Sequence, residues 1–69
     1  MPDFQLLTVR ETSELLRLSE RDTRRLINGK LPNLPTLPSV RIGRRVMVER
    51  ITLLGWTLSL AHDLFNLPN

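Results

Sequence analysis

The chain has 69 residues, 41% of them hydrophobic, and a formal charge of +3; it can hold one small core and no two-domain enzyme. With no cysteine and a single histidine, His62, it has no disulfides, no thiol nucleophile, and no means of building a zinc centre from thiolates or from one imidazole. The longest uncharged apolar stretch, residues 51–61, falls short of the ~20 residues that span a bilayer, and no basic-then-apolar leader opens the chain, so a soluble intracellular protein is expected.

Thr8 followed three residues later by Glu11 is a capping box, in which a hydroxyl and a carboxylate satisfy the first orphan amides of a helix. This predicts a first helix over residues 9–16, with Val9, Leu15 and Leu16 as its apolar stripe and Thr12 and Ser13 between them. Ser19 and Asp22 repeat the pattern only eleven residues after Thr8. A second helix is therefore predicted over residues 20–28, after a tight turn at Arg17 and Leu18, ending at Gly29, where a residue without Cβ takes the left-handed cap. At 100° per residue, Arg21, Arg24, Arg25 and Asn28 fall within an arc of about 100°, with Thr23, Leu26 and Ile27 on the opposite side. This helix buries one face and offers arginines and an amide on the other, while Glu20 and Asp22 sit near its N-terminus, where the dipole favours acids.

Pro32, Pro35 and Pro38 recur every third residue, which excludes a helix or a central strand and predicts an extended connector tacked to the core by Leu31, Leu34 and Leu37. Val40, Ile42, Val46 and Val48 suit a hairpin around Gly43. A three-residue loop of Gly43, Arg44 and Arg45 pairs Ile42 with Val46 and Val40 with Val48, keeping the apolar face together, and puts Arg41 and Met47 outside. A two-residue loop would pair Arg41 with Val46 and split that face. From Glu49 to about Phe65 the periodicity is helical again, with Gly55 as a weak point. Trp56, Leu60 and Leu64 share a stripe with Leu53; Ile51, Leu54, Leu58, Ala61 and Phe65 form a second stripe about 140° round the helix. Either Phe4, Leu6, Leu7 and the proline connector cover the second stripe, or a protein partner does.

Residues 17–50 contain nine cations against three anions, a balance of +6, while residues 1–16 carry −2 and residues 51–69 carry −1. Such clustering is the electrostatic footprint of a polyanion-binding surface, or of a merely solvated one. Arginine outnumbers lysine nine to one, and guanidinium forks onto phosphates and guanine edges where ammonium is a point charge. No hydroxyl, acid pair or glycine-rich phosphate loop completes a catalytic constellation. His62 reads as a solvated helix residue, and Trp56 as a core residue, in a chain that lacks the aromatic set of single-strand binders.

A capped helix, a tight turn, an arginine-faced helix, a basic-tipped hairpin and a closing helix describe an α+β winged helix-turn-helix: three helices with a two-stranded β-hairpin wing. The runs Leu7-Thr8-Val9-Arg10-Glu11, Glu14-Leu15-Leu16-Arg17-Leu18-Ser19, Arg25-Leu26-Ile27, Gly29-Lys30-Leu31-Pro32 and Val40-Arg41-Ile42-Gly43-Arg44-Arg45 resemble the excisionase family of MerR-like DNA-binding proteins. The resemblance covers roughly residues 6–58 of what reads as one domain, with a C-terminal extension over residues 59–69. It implies a small phage or mobile-element protein, acting in the cytoplasm at the nucleoid of a bacterial host. Such a protein binds double-stranded DNA near an attachment site, bends it, and directs a site-specific integrase toward excision; other members regulate transcription.

Carried over by position, Ser19, Glu20, Arg21, Arg24, Arg25 and Asn28 belong to the recognition helix and Arg41, Arg44 and Arg45 to the wing. Arg17 and Lys30 are candidate phosphate contacts. Arg24 or Arg25 would fork onto guanine O6 and N7 and Asn28 would read adenine, with Arg44 and Arg45 along the adjacent minor groove or its phosphates. Leu54, Leu58, Ala61 and Phe65 form a candidate protein interface, for an integrase or for a neighbouring protomer on DNA. No cofactor, metal, membrane or small-molecule substrate is expected. The chain departs from the family in a longer connector over residues 33–39, in Arg17 where a turn glycine is frequent, and in the apolar second stripe of its last helix. Two rivals use the same residues differently: a small transcription regulator through the same face, and a protein-binding adaptor through the second stripe with the arginines idle.

Overall fold

The computed structural model describes the backbone of residues 5–65 and the side chains of residues 5–62. In chain order the elements are β1 (Leu6–Thr8), α1 (Val9–Leu16), α2 (Glu20–Ile27), β2 (Val40–Ile42), β3 (Arg45–Glu49) and α3 (Arg50–Phe65). All three helices fall where capping and periodicity predict them. The capping box at α1 is complete: the Glu11 N–H donates to Thr8 Oγ1 at 3.0 Å and the Thr8 N–H donates to Glu11 Oε1 at 2.9 Å. At α2 half of the pattern forms, the Asp22 N–H donating to Ser19 Oγ at 3.1 Å.

Both short helices end in the same hydrogen-bonded turn. After α1, the Leu18 N–H reaches the Ser13 carbonyl at 3.0 Å and the Arg17 N–H reaches that of Glu14 at 3.3 Å; after α2, Lys30 reaches Arg25 at 2.8 Å and Gly29 reaches Leu26 at 3.3 Å. This is the Schellman arrangement, which needs a left-handed residue at its corner. Gly29 supplies it at φ 71° without a Cβ, whereas Arg17 is held at φ 59° and ψ 40° with one.

The wing belongs to a three-stranded antiparallel sheet in the order β1-β3-β2, one strand more than expected. Leu6, Leu7 and Thr8 pair with Glu49, Val48 and Met47. Leu7 and Val48, directly opposite each other and both buried, make β1 a core strand. Leu6 and Leu7 are therefore engaged in the sheet, with Leu7 meeting α3 in the core at Leu53 rather than covering its second stripe, and Phe4 lies outside the described residues.

The hairpin loop has two residues, not three: Ile42 pairs with Arg45, Arg41 with Val46 and Val40 with Met47. Gly43 takes φ 61° and Arg44 has no positive φ, the pattern of a type II′ turn with glycine first. The expected register presumed a buried face along β2, but Val40, Arg41 and Ile42 are all exposed, so turn geometry sets the pairing. Two placements change with it. Arg41 shares the face of Val46 and Val48, toward the helices, and Arg45 opens β3 instead of sitting in the loop.

The core is Leu7, Leu26, Leu37, Val48 and Leu53, with Leu16, Ile27, Leu31 and Trp56 packed around it. Leu37 anchors the proline connector twice, by complete burial of its side chain and by its N–H on the Leu26 carbonyl at 3.1 Å; Leu31 assists, and Leu34 is exposed. Between α1 and α2 the buried side chains are Thr12, Ser13 and Thr23. Each hydroxyl donates to the carbonyl four residues back, at 2.8, 2.7 and 2.9 Å, so small polar groups are buried without being left unsatisfied. Leu15, expected in the α1 stripe, is 62% exposed.

On α3, Leu53 is buried and Trp56 and Leu60 are half-buried. Of the second stripe, Ile51, Leu54 and Leu58 are 53%, 51% and 70% exposed and Ala61 is half-buried; the side chains of Leu64 and Phe65 lie outside the described ones. No described helix is long and apolar enough to cross a membrane.

Candidate nucleic-acid interface

Ser19 starts α2 from an extended backbone, φ −69° and ψ 157°, and its carbonyl receives both the Thr23 N–H and the Thr23 hydroxyl at 2.9 Å. That fixes which side of α2 faces inward: Thr23 and Leu26 are buried and Ile27 half-buried, while Arg21, Arg24, Arg25 and Asn28 are exposed. The predicted face is therefore assembled as expected. Asp22 lies against Arg25, with Oδ1 and Nη1 4.0 Å apart, a half-exposed pair that contributes little.

Between α2 and the wing runs a trough in two connected parts. A notch of about 120 Å³ is lined by Val9, Arg24, Ile27, Asn28, Arg41 and Val46. It continues into a groove of about 330 Å³ among Thr8, Val9, Arg10, Glu20, Arg24, Arg44, Arg45, Val46 and Met47. Val9, Arg24 and Val46 line both parts. The trough thus joins Glu20, Arg24 and Asn28 of α2 to Arg41, Arg44 and Arg45 of the wing. Arg41 reaches it because the two-residue turn puts it on the Val46 face. Arg21 and Arg25 lie outside, on the outward side of α2. Arg17 and Lys30 are exposed just beyond the two ends of α2 and line neither part.

Sequence reasoning missed Arg10. It borders the groove from α1 and pairs with Glu14 at 3.4 Å, both side chains largely exposed. Dividing the chain at Arg17 had grouped it with the acidic flank; the capping box, which makes it the second residue of α1 and so a neighbour of the wing, was the signal that could have found it. Five guanidinium groups therefore surround the groove and notch with one carboxylate among them, a surface suited to a polyanion. Among the described residues no group of three or more metal-ligating side chains is gathered.

No curated protein and no solved structure matches the chain. A family model described as a helix-turn-helix domain matches residues 6–59, from the first strand of the sheet through most of α3. The match spans the two capped helices, the left-handed turn between them and the wing that faces the second. The chain belongs to this family of helix-turn-helix domains, which bind double-stranded DNA and include excisionase-like proteins.

Proposed function

We propose that the protein is a sequence-specific DNA-binding and DNA-bending excisionase of a phage or mobile element, acting as one domain to direct an integrase toward excision. The observation that carries this reading is the arginine face of α2 set across a basic trough from the wing arginines, so that both can engage one duplex at once. In this reading α2 enters the major groove, where Arg24 or Arg25 forks onto guanine and Asn28 pairs with adenine. Arg44 and Arg45 at the wing tip follow the neighbouring minor groove or its phosphates, and Arg41, Arg17 and Lys30 neutralise backbone charge. The exposed part of the second α3 stripe, with Ala61 and Phe65 further along that helix, is left for the integrase or for a neighbouring protomer on DNA. The same stripe favours a second reading, a transcription regulator that dimerises through it.

Selection of bound duplexes from a random pool near physiological salt tests the proposal. Short motifs repeated in one direction support the excisionase reading, and inverted repeats the regulator. Arg24→Ala should relax preference at one position, each base-reading side chain being worth about 1–3 kcal/mol of discrimination. Arg44→Ala should weaken all sequences alike and flatten the log-log salt slope by about 0.9. Equal losses on every sequence from both variants would overturn the assignment of roles.

A further inference from the structure

Five carboxylates have described surroundings, and four of them are engaged. Glu11 closes the capping box, Glu14 pairs with Arg10, Asp22 faces Arg25, and Glu49 accepts from the Thr52 hydroxyl at 2.6 Å. Glu20 alone has no hydrogen bond or ion pair among the described residues. It is nonetheless exposed beside Arg24, Arg44 and Arg45 in the groove between α2 and the wing. The N-terminus of α2 favours Glu20 as it does Asp22, but a carboxylate on a surface that meets phosphate is also repelled by it.

The donor and acceptor inventory of this face gives that carboxylate a purpose. Arg21, Arg24, Arg25, Arg41, Arg44 and Arg45 only donate, and Ser19 Oγ is occupied by the Asp22 N–H. Asp22 faces Arg25 and lines neither part of the trough, so the side-chain acceptors that α2 brings to the trough are the Glu20 carboxylate and the Asn28 amide oxygen. In the major groove, guanine and thymine present acceptors that arginine reads, while cytosine N4 and adenine N6 present amino groups. Adenine places its own N7 acceptor beside N6, which suits an amide and repels a carboxylate; cytosine carries no acceptor on its own major-groove edge, and the carboxylate can approach N4 from the C5 side, away from the paired guanine O6.

We propose that Glu20 is a specificity-determining residue that accepts a hydrogen bond from the N4 amino group of a cytosine in the major groove. The inference rests on the DNA-reading role assigned to α2. Glu20 and Arg24 are one turn apart, with Cβ atoms about 5–6 Å from each other, so the cytosine lies within one or two base-pair steps of the base that Arg24 contacts. Where the position holds guanine or thymine the carboxylate meets acceptors, and where it holds adenine it meets N7 beside the N6 amino group, so with phosphate nearby it depresses binding to sequences that lack the cytosine.

The test runs the random-pool selection in parallel on the wild type, Glu20→Ala and the near-isosteric Glu20→Gln, with a thermal melt confirming that each folds. The wild type should fix a cytosine at one position. On a duplex of the selected sequence, replacing that cytosine should cost the wild type about 5–150-fold in affinity and the alanine variant no more than about twofold. Glu20→Ala should also bind duplexes lacking the motif several-fold more tightly, and Glu20→Gln should turn the preference at that position to adenine. A selected wild-type motif that survives unchanged in both variants would overturn the role of Glu20 while leaving the DNA-reading face intact. A wild type that selects no motif would overturn both.

Discussion

Replacing Arg17 with glycine should stabilise the protein, in spite of removing a large side chain. Arg17 occupies the corner of the turn between α1 and α2 at φ 59° and ψ 40°, where the Cβ of an L residue crowds its own backbone at about 1–2 kcal/mol. Its guanidinium makes no bond among the described residues that would offset this, and the two hydrogen bonds of the turn, from Arg17 and Leu18 to Glu14 and Ser13, are made by backbone that glycine also carries. Against the relief stands the greater freedom of glycine in the unfolded chain, about 0.4–1 kcal/mol. The net gain is about 0.5–1 kcal/mol, which for a domain of this size raises Tm by roughly 2–8 °C. Urea titration followed by circular dichroism should show a higher midpoint at unchanged slope. An unchanged or lower midpoint would refute the reasoning, because it would mean that the Arg17 side chain contributes contacts outweighing the backbone strain. The same variant reports on DNA: if Arg17 touches a phosphate, the log-log salt slope becomes shallower by about 0.9 while sequence preference stays as it was.

The other left-handed corner responds in the opposite direction. Gly29→Ala puts a Cβ at φ 71° and 2.7 Å from Thr36 Oγ1, so the strain, less the unfolded-chain freedom given up, should lower stability by about 0.5–1 kcal/mol from the backbone; adding Thr36→Ala should recover only the contact part, as read by the same denaturation midpoint. Leu58→Asp, at a side chain 70% exposed, should change stability by no more than about 0.5 kcal/mol and leave affinity for a single site intact. It should abolish cooperative filling of tandem sites in a gel-shift titration, and cooperative filling that persisted would remove the second α3 stripe from assembly on DNA.

The parts of the fold legible in the sequence are those set by neighbours along the chain. The boundaries of α1 and α2 follow from hydroxyls and glycine acting within four residues, and the outward face of α2 from a period that tertiary packing did not override. What escaped was set across space. β1 is three residues long, too short to carry a period, and exists because Leu7 finds Val48. The wing register was argued from a buried face that β2 lacks, so the glycine at the turn decided it, and this moved Arg41 from the outside of the wing into the trough. Leu15 looked like core by residue type, yet α1 and α2 meet through Thr12, Ser13 and Thr23, whose hydroxyls are satisfied within their own helices. The outward placement of Arg21, Arg24, Arg25 and Asn28 on α2 was legible; the side of the wing facing α2, and the presence of Arg10 beside the groove, depended on the sheet.

The edge strand β2 has a consequence for the protein before it ever meets DNA. It presents Val40 and Ile42 to solvent, 44% and 52% exposed, on the open side of a sheet, the kind of margin along which a second copy could add a strand. Its length of three residues and the guanidinium groups of Arg41, Arg44 and Arg45 oppose this, since two such margins brought together would confront like charges. The wing arginines therefore oppose self-association in addition to the DNA role proposed for them. Neutralising them should open the sheet to edge-to-edge aggregation, whatever it does to DNA binding.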